Sequence, residues 1–248
     1  MGQNNSHQLP ELNAIWRQTL NWQPSIEQQR QFQQLYEGIR EGNQRLNLTR
    51  ITQPEEFWEK HLWDSLRGIA RFLQESVPYK AIDIGTGAGF PGLPVAIAQP
   101  NWSITLLDST RKKMDFLNFL LDTLKLSNAH TLVGRVEAIG QEKKYRENYD
   151  LALVRAVAEA GVCAEYALPL LKLGGVAVLY RGQWTDAERR SLQPVASLLG
   201  GTIEHIEAFS TPLTGGERHC LYLRKVFPTP EQFPRAIGIP VQKPLGHP

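Results

Sequence analysis

The densest chemistry in the chain lies between Ala81 and Gly92, which read Ala-Ile-Asp-Ile-Gly-Thr-Gly-Ala-Gly-Phe-Pro-Gly. A short apolar run, Lys80–Ile84, leads into the glycines, and a helical pattern over 92–98 follows them. Glycines at such a strand-to-helix turn permit positive φ and let backbone amides approach a ligand closely. Asp108 ends the next apolar run, 19 residues after Gly89. Doubly wound folds place there the acid that hydrogen-bonds a ribose hydroxyl pair. Arg135-Val136-Glu137 follow the third run by a short turn, in the loop that flanks an adenine in such folds. The plainer alternatives are a ligand-free turn for the glycines and, for Glu137, an acid favouring a helix N-terminus.

Two nucleotide-bearing cofactors compete for this loop. Gly87-Ala88-Gly89-Phe90-Pro91-Gly92 fits G-x-G-x-x-G, the dinucleotide fingerprint, which is weak by itself. Asp83, Gly85, Gly87 and Gly89 fit the D-x-G-x-G-x-G loop of S-adenosylmethionine enzymes. A dinucleotide needs a helix N-terminus for its pyrophosphate. S-adenosylmethionine carries no phosphate but does carry a sulfonium and an ammonium, which a strand-end carboxylate such as Asp83 suits.

The elements that must position these residues fall into two parts. Up to about Tyr79 the chain reads helical. Ser25 with Gln28 makes an imperfect capping box, and Phe32, Leu35, Tyr36 and Ile39 form one helix face. Gly42-Asn43 is expected to interrupt that helix, and Pro54 to open another. Beyond Tyr79, strand candidates Lys80–Ile84, Ser103–Leu107, His130–Val133, Leu151–Val154 and Val176–Tyr180 alternate with helical segments at 92–98, 111–125, 159–172 and 184–199. That alternation predicts βαβ units and a parallel sheet with right-handed connections. Thr202–Phe209 and Arg218–Val226 have no helix between them, so they predict a terminal hairpin with one strand antiparallel to the rest. The expected organisation is a helical extension over 1–76, an α/β core over 77–226, and a Pro-rich basic tail over 227–248, extended or disordered.

Composition excludes several classes. The 248 residues suit one domain with an extension. Net charge is +2, from 27 Lys and Arg against 25 Asp and Glu, so a charge-only nucleic-acid coat does not fit. Five cations and two acids lie in 215–248, giving +3 there and −1 before it. No apolar stretch is long enough to span a membrane, and the N-terminus has no signal-peptide pattern. Cys163 and Cys220 form neither a disulfide framework nor a zinc motif, so no metal is expected and a reducing, cytoplasmic compartment fits. Asp150-Leu151-Ala152-Leu153-Val154-Arg155 lacks the Pro-Pro of amino-methylating enzymes, and no cysteine follows proline as in cytosine-C5 enzymes.

Taken together the segments resemble the RsmG (GidB) family of bacterial methyltransferases. The likeness rests on Asn47-Leu48-Thr49, His61-Leu62-Trp63-Asp64-Ser65, the loop from Asp83 to Pro94, and Leu106 through Lys113. Arg135-Val136-Glu137, Arg155-Ala156-Val157 and Gly215 through His219 complete it, in order, over about residues 12–226. The resemblance implies a doubly wound, Rossmann-like, S-adenosylmethionine-dependent methyltransferase sheet with an antiparallel terminal hairpin. It implies methyl transfer to guanine N7 in 16S ribosomal RNA. Gly85, Gly87 and Phe90 would line the cofactor loop, Asp108, Ser109 and Thr110 would hold the ribose end, and Val136 and Glu137 would flank the adenine. Arg155 would sit beside cofactor and base, as the candidate for orienting the base.

Substrate RNA contacts are expected at Asn47, His61, Arg135, Arg181 and Arg218. Their plainer readings are turn, core and surface residues. One departure is Arg181-Gly182-Gln183 where the family usually has Lys-Gly-Gln. A phosphate contact survives that exchange; a titratable amine does not. The expected partner is 16S ribosomal RNA or the small ribosomal subunit, met by a monomer. Alternatives left open are a methyltransferase on another RNA or a small molecule, an NAD-binding oxidoreductase, and a non-catalytic binding module.

Overall fold

The computed structural model describes residues 7–246. Seven strands form one sheet: β1 (Lys80–Ile84), β2 (Ser103–Asp108), β3 (Ala129–Val133), β4 (Tyr149–Arg155), β5 (Leu171–Arg181), β6 (Gly201–Ser210) and β7 (Glu217–Lys225). Their spatial order is β3-β2-β1-β4-β5-β7-β6. Strands β3, β2, β1, β4 and β5 are mutually parallel, and β7 runs antiparallel to both of its neighbours, β5 and β6. The expected hairpin is therefore present, and β7 is its reversed strand. The strand order reverses between β2-β1 and β4, which is where open α/β sheets bind ligands beyond their strand ends.

Because side chains alternate along a strand, the sheet feeds two cores. Leu151, Leu153, Val176 and Val178 point into one, and Ala152, Val154, Ala177 and Leu179 into the other. The first core takes α1 (Asn13–Leu20), α2 (Ile26–Leu46), α3 (Pro54–Phe57), the π-helical turn Trp58–Trp63, α4 (Asp64–Arg67), α5 (Gly92–Ala98) and α6 (Arg111–Leu124). Trp16, Phe32, Leu35, Tyr36 and Trp58 are buried in it, so the helical extension forms a layer on the sheet. The second core takes α7 (Val136–Ile139), α8 (Ala160–Ala167) and α9 (Asp186–Leu198). With both faces covered, the central strands read as continuous apolar runs.

Local chemistry explains most boundaries. The Ser25 hydroxyl accepts from Gln28 N at 3.2 Å, and Gln28 Oε1 accepts from Ser25 N at 2.8 Å, which completes the capping box. Gln28 Nε2 also donates to the carbonyls of Ile97 and Ala98, tying α2 to the end of α5. Gly42 does not interrupt α2, contrary to expectation. A Cβ there would lie 2.4 Å from the Phe116 ring, so the glycine serves a close crossing of α2 and α6. The helix expected over 159–172 stops at Ala167, then turns through Leu168–Leu170 into β5. Pro169 has no N–H for another helical turn, and Leu171 pairs with Tyr149 as strand.

The tail departs furthest from expectation. Residues 226–238 carry little regular structure, but the segment is packed onto the second core and ends in the short helix α10 (Ile239–Gln242). Phe233 and Pro240 are buried, and Arg235 forms a forked ion pair with the fully buried Glu165. Composition alone concealed this, because prolines mark both loose tails and tightly laid ones.

Candidate cofactor and substrate site

The glycine loop is built around Asp83 at the end of β1. Its Oδ2 accepts from Thr86 Oγ1 at 2.6 Å and from Gly92 N at 2.8 Å, bridging both ends of the loop. Gly85, Gly87 and Gly89 all have positive φ, which a side chain would strain. Gly92 touches Asp83 and Leu106 so closely that a Cβ would lie 2.2 Å from Leu106 Cδ2. Asp83 is therefore the loop's organiser and is fully buried. Burial pushes its pKa up to about 6, partly offset by the Thr86 and Gly92 bonds and by Arg155. Its Oδ1 is buried without a hydrogen-bond partner in the protein.

The loop also discriminates between the two cofactors. The amides of Gly85 and Thr86 donate to Leu107 O, and Gly87 N donates to Asp108 Oδ2. Those of Gly89 and Phe90 donate to Thr86 O, Gly92 N to Asp83, and Leu93 N to Gly89 O. Pro91 and Pro94 have no N–H to offer. Amides turned inward in this way do not form the cradle that a pyrophosphate requires. The charge left over here is anionic: Asp83 has an oxygen without a partner and Asp108 ends β2, whereas Glu137 is paired with Arg135. A buried unpaired carboxylate is costly, and a nearby cation relieves it. The residues present thus fit S-adenosylmethionine, with its sulfonium and ammonium, and fit a dinucleotide poorly.

A cavity of about 220 Å³ opens beside this loop, lined by Gly85, Ser109, Arg135, Val136, Glu137 and Val157 among others. Five of the sequence-predicted residues line it: Gly85, Ser109, Arg135, Val136 and Glu137. Asp108 ends β2 and accepts from Gly87 N at 3.0 Å and Thr110 N at 2.8 Å, so both carboxylate oxygens are fixed in orientation. Glu137 is buried and accepts from Arg135 Nε and Nη2, from Tyr166 Oη at 3.2 Å and from Gly238 N at 3.1 Å. Those bonds, Arg135 foremost, hold its pKa below the usual range against the opposing effect of burial. Arg135, expected to meet RNA, is thus engaged at the wall of this cavity. A larger cavity, about 440 Å³, lies among α1, α2 and Trp58, and none of the predicted site residues lines it.

A second cluster lies where the helical extension meets the ends of β1 and β4. Phe90, from the glycine loop, stacks on His61 with ring centroids 4.2 Å apart and planes 7° off parallel. Arg155 lies 5.7 Å from the Phe90 ring centroid and donates to Lys60 O at 2.7 Å and Asp64 Oδ2 at 3.0 Å. Its Nη2 is 3.4 Å from His61 Nδ1. Thr49 Oγ1 meets His61 Nε2 at 2.9 Å, and Thr49 is itself held by Asn43. A π-helical turn carries His61, a widening frequent at functional sites. With Arg155 and Thr49 flanking its two nitrogens, the ring is held neutral. Burial first, then Arg155 and Lys60, push its pKa down to about 3.

The remaining predicted contacts surround this cluster less directly. Asn47 caps α2 in the left-handed region and is exposed. Arg181 donates to Ala158 O at 2.8 Å and lies 3.4 Å from Glu188, holding the loop after β4 to the start of α9. Arg218 lies on β7 and donates to Glu217 O. Next to it, His219 Nδ1 is 2.7 Å from Gly182 O, which ties the hairpin to the end of β5. Glu59 was not foreseen. It is buried and accepts from Leu213 N, Thr214 N and Thr214 Oγ1, fixing the hairpin loop to the helical extension. Among the described residues no group of His, Cys, Asp and Glu could hold a metal ion. No helix among the described residues is long and apolar enough to cross a membrane.

Comparison with known proteins gives a consistent picture. The family described as "GidB: rRNA small subunit methyltransferase G" matches residues 28–221. The chain is 62% identical over 240 residues to ribosomal RNA small subunit methyltransferase G of Nostoc punctiforme, covering 96% of this chain and 98% of that one. It is 59% identical to the protein of the same name from Trichodesmium erythraeum, covering 99% and 98%. Among solved structures, it resembles a mutant 16S rRNA (adenine(1408)-N(1))-methyltransferase from Catenulisporales acidiphilia, determined with its cosubstrate SAM. The TM-score is 0.50 at 16% identity, covering 64% of this chain and 90% of that one. That likeness concerns the fold.

Proposed function

The chain belongs to the rRNA small subunit methyltransferase G family, and from that premise we infer that it methylates N7 of a guanine in 16S ribosomal RNA, using S-adenosylmethionine. The observation that carries this reading is the absence of a usable base among the described groups around the cluster. His61 has a pKa near 3 and is bonded on both nitrogens. Asp64 is paired with Arg155, and Asp83 is sealed beneath the loop. Guanine N7 carries a free lone pair, so no proton need leave before attack. A site that orients without deprotonating suits that atom, whereas amino-group methylation asks for somewhere to put a proton.

S-adenosylmethionine supplies, when bound, a methyl group on a positively charged sulfur. The chain's own work is orientation and electrostatics. Asp108, with both oxygens fixed by Gly87 N and Thr110 N, is placed to accept from ribose hydroxyls. Val136 and Glu137 form the adenine side. Arg155 has five N–H groups, of which three are directed at Lys60, Asp64 and His61. The remaining two are available to guanine O6 or a phosphate. A donor on N7 itself would block the nucleophile, so O6 or phosphate is the consistent assignment. Arg181 and Arg218 are the phosphate contacts in this reading.

Methyl transfer to small subunits or 16S RNA lacking the native mark, followed by mapping of the modified base, tests the reading. The expected product is a single 7-methylguanosine. Methylation of an adenine or cytosine, or no transfer to any RNA, overturns it.

A further inference from the structure

The family match ends at residue 221, yet the chain beyond it is laid down with care. At its root, Lys225 is fully buried and donates to Leu168 O at 2.7 Å and Thr229 Oγ1 at 2.5 Å. Arg146 reaches across and donates to the carbonyls of Thr229, Pro230 and Phe233. Gln141 holds Pro234 O at 2.8 Å. Arg235 then grips the buried carboxylate of Glu165 through its backbone N–H and the Nε–Nη2 edge of its guanidinium. These are three separate clamps on one segment, with Gln141 and Arg146 in the connection from α7 to β4 and Glu165 on α8. Such a path directs the chain toward the ends of β1 and β2.

Its destination is the cofactor cavity. Gly238 N donates to Glu137 Oε1 at 3.1 Å, so the tail is bonded to the residue that flanks the adenine side. One turn later Val241 lines the same cavity as Gly85, Ser109, Val136 and Val157. Val241 and Val157 are both substantially exposed, at 57% and 37%. Two exposed valines line one cavity together with Val136, an apolar lining of the kind that takes a flat heteroaromatic ring. We propose that residues 236–243 are a wall of the S-adenosylmethionine pocket, with Val241 packing against the adenine and the Gly238–Glu137 bond setting its position. This rests on the reading that the cavity holds that cofactor.

The test uses the full chain and S-adenosylhomocysteine, the product-state ligand, in calorimetric titrations of wild type, Val241→Ala and Val241→Asp. Val241 is mostly exposed, so both variants should melt as wild type does. Burying its exposed face under adenine predicts a dissociation constant about threefold weaker for the alanine and at least about tenfold weaker for the aspartate. Hydrogen exchange supplies a second readout. Ligand should slow exchange of the peptide spanning 236–246 in wild type, and less so in Val241→Asp. In turnover assays, Val241→Asp should raise KM for S-adenosylmethionine and leave KM for RNA unchanged. Equal affinities for wild type and Val241→Asp, with exchange over 236–246 unaffected by ligand, overturn the inference. A wild type that binds no S-adenosylhomocysteine overturns the reading of the cavity instead, and the wild-type titration separates the two.

Discussion

The glycine loop and the cluster around Arg155 meet at Phe90, but they are assembled in opposite ways. The loop is made from ten consecutive residues, 83–92, and its defining bonds, Asp83 to Thr86 and to Gly92, close within that span. The cluster draws Thr49, His61, Asp64, Phe90 and Arg155 from the extension, the π-helical turn, α4, the loop and β4. A local structure of this kind is set by sterics and leaves no slack. A dispersed one depends on two layers docking correctly, and each member can be altered with the rest left standing. Substitutions in the loop should therefore remove cofactor binding and stability together, and those in the cluster should separate binding from chemistry.

The largest effect should come from the loop. Gly92→Val places a side chain against Leu106 and Asp83, and should cost about 3 kcal/mol or more and abolish cofactor binding. Chemical denaturation and titration with S-adenosylhomocysteine measure both, and a variant of native stability and affinity would break the comparison. Next is Arg155→Ala, expected to lower methyl transfer about 100-fold with cofactor affinity within about fivefold of wild type. Arg155→Lys should recover only part, because one ammonium cannot keep both the Nη1 bonds to Lys60 and Asp64 and the planar donors beyond them. Full transfer by the alanine variant would remove Arg155 from the substrate side.

A smaller effect is expected at the edge of the loop. Asp108→Ala removes the acceptor for Gly87 N and Thr110 N as well as a ribose contact. Cofactor affinity should fall about 30-fold, with a modest stability loss.

The smallest is a pH effect in the cluster. His61 ordinarily titrates near 6.5, but in the fold only near 3. Its folded pKa is depressed, so the unfolded chain takes up a proton first as pH falls. The stability of the neutral ring is full above about 6.5 and is lost progressively toward 3. Asp83 acts oppositely, since its raised pKa favours the fold on the acid side of about 6. Comparing wild type with His61→Gln cancels the Asp83 part. The stability gap between them should narrow by about 1 kcal/mol from pH 7.5 to pH 5.5. A gap independent of pH would show that His61 titrates normally.

Much of this was legible before any coordinates. The buried face Phe32, Leu35, Tyr36 and Ile39, the strand centres, and the terminal hairpin all follow from periodicity. The misreadings have physical causes. Gly42 looks like a helix break, but its missing Cβ admits Phe116 from a helix over 70 residues away. Asp83 reads as a free strand-end carboxylate, but the folded loop spends one of its oxygens on Thr86 and Gly92 and buries the other without a partner. The tail reads as loose because prolines dominate it, although Phe233, Ile239, Val241 and Leu245 were a signal that part of it packs.

What the sequence by itself determined is the local backbone: the glycine turn after β1, the acid at the end of β2, the order of strands and helices, and the family. Each depends on residues within one turn or one period of each other, where sterics and burial act without reference to the rest of the chain. The tertiary structure alone decided which polar groups are already spent. It neutralised His61, bonded the amides of Gly85 and Thr86 to Leu107 O, and carried Val241 to the cavity beside the glycine loop. Those outcomes depend on desolvation and on hydrogen bonds between residues up to 101 positions apart, as in Gly238 to Glu137, and such partners are chosen only when the layers pack.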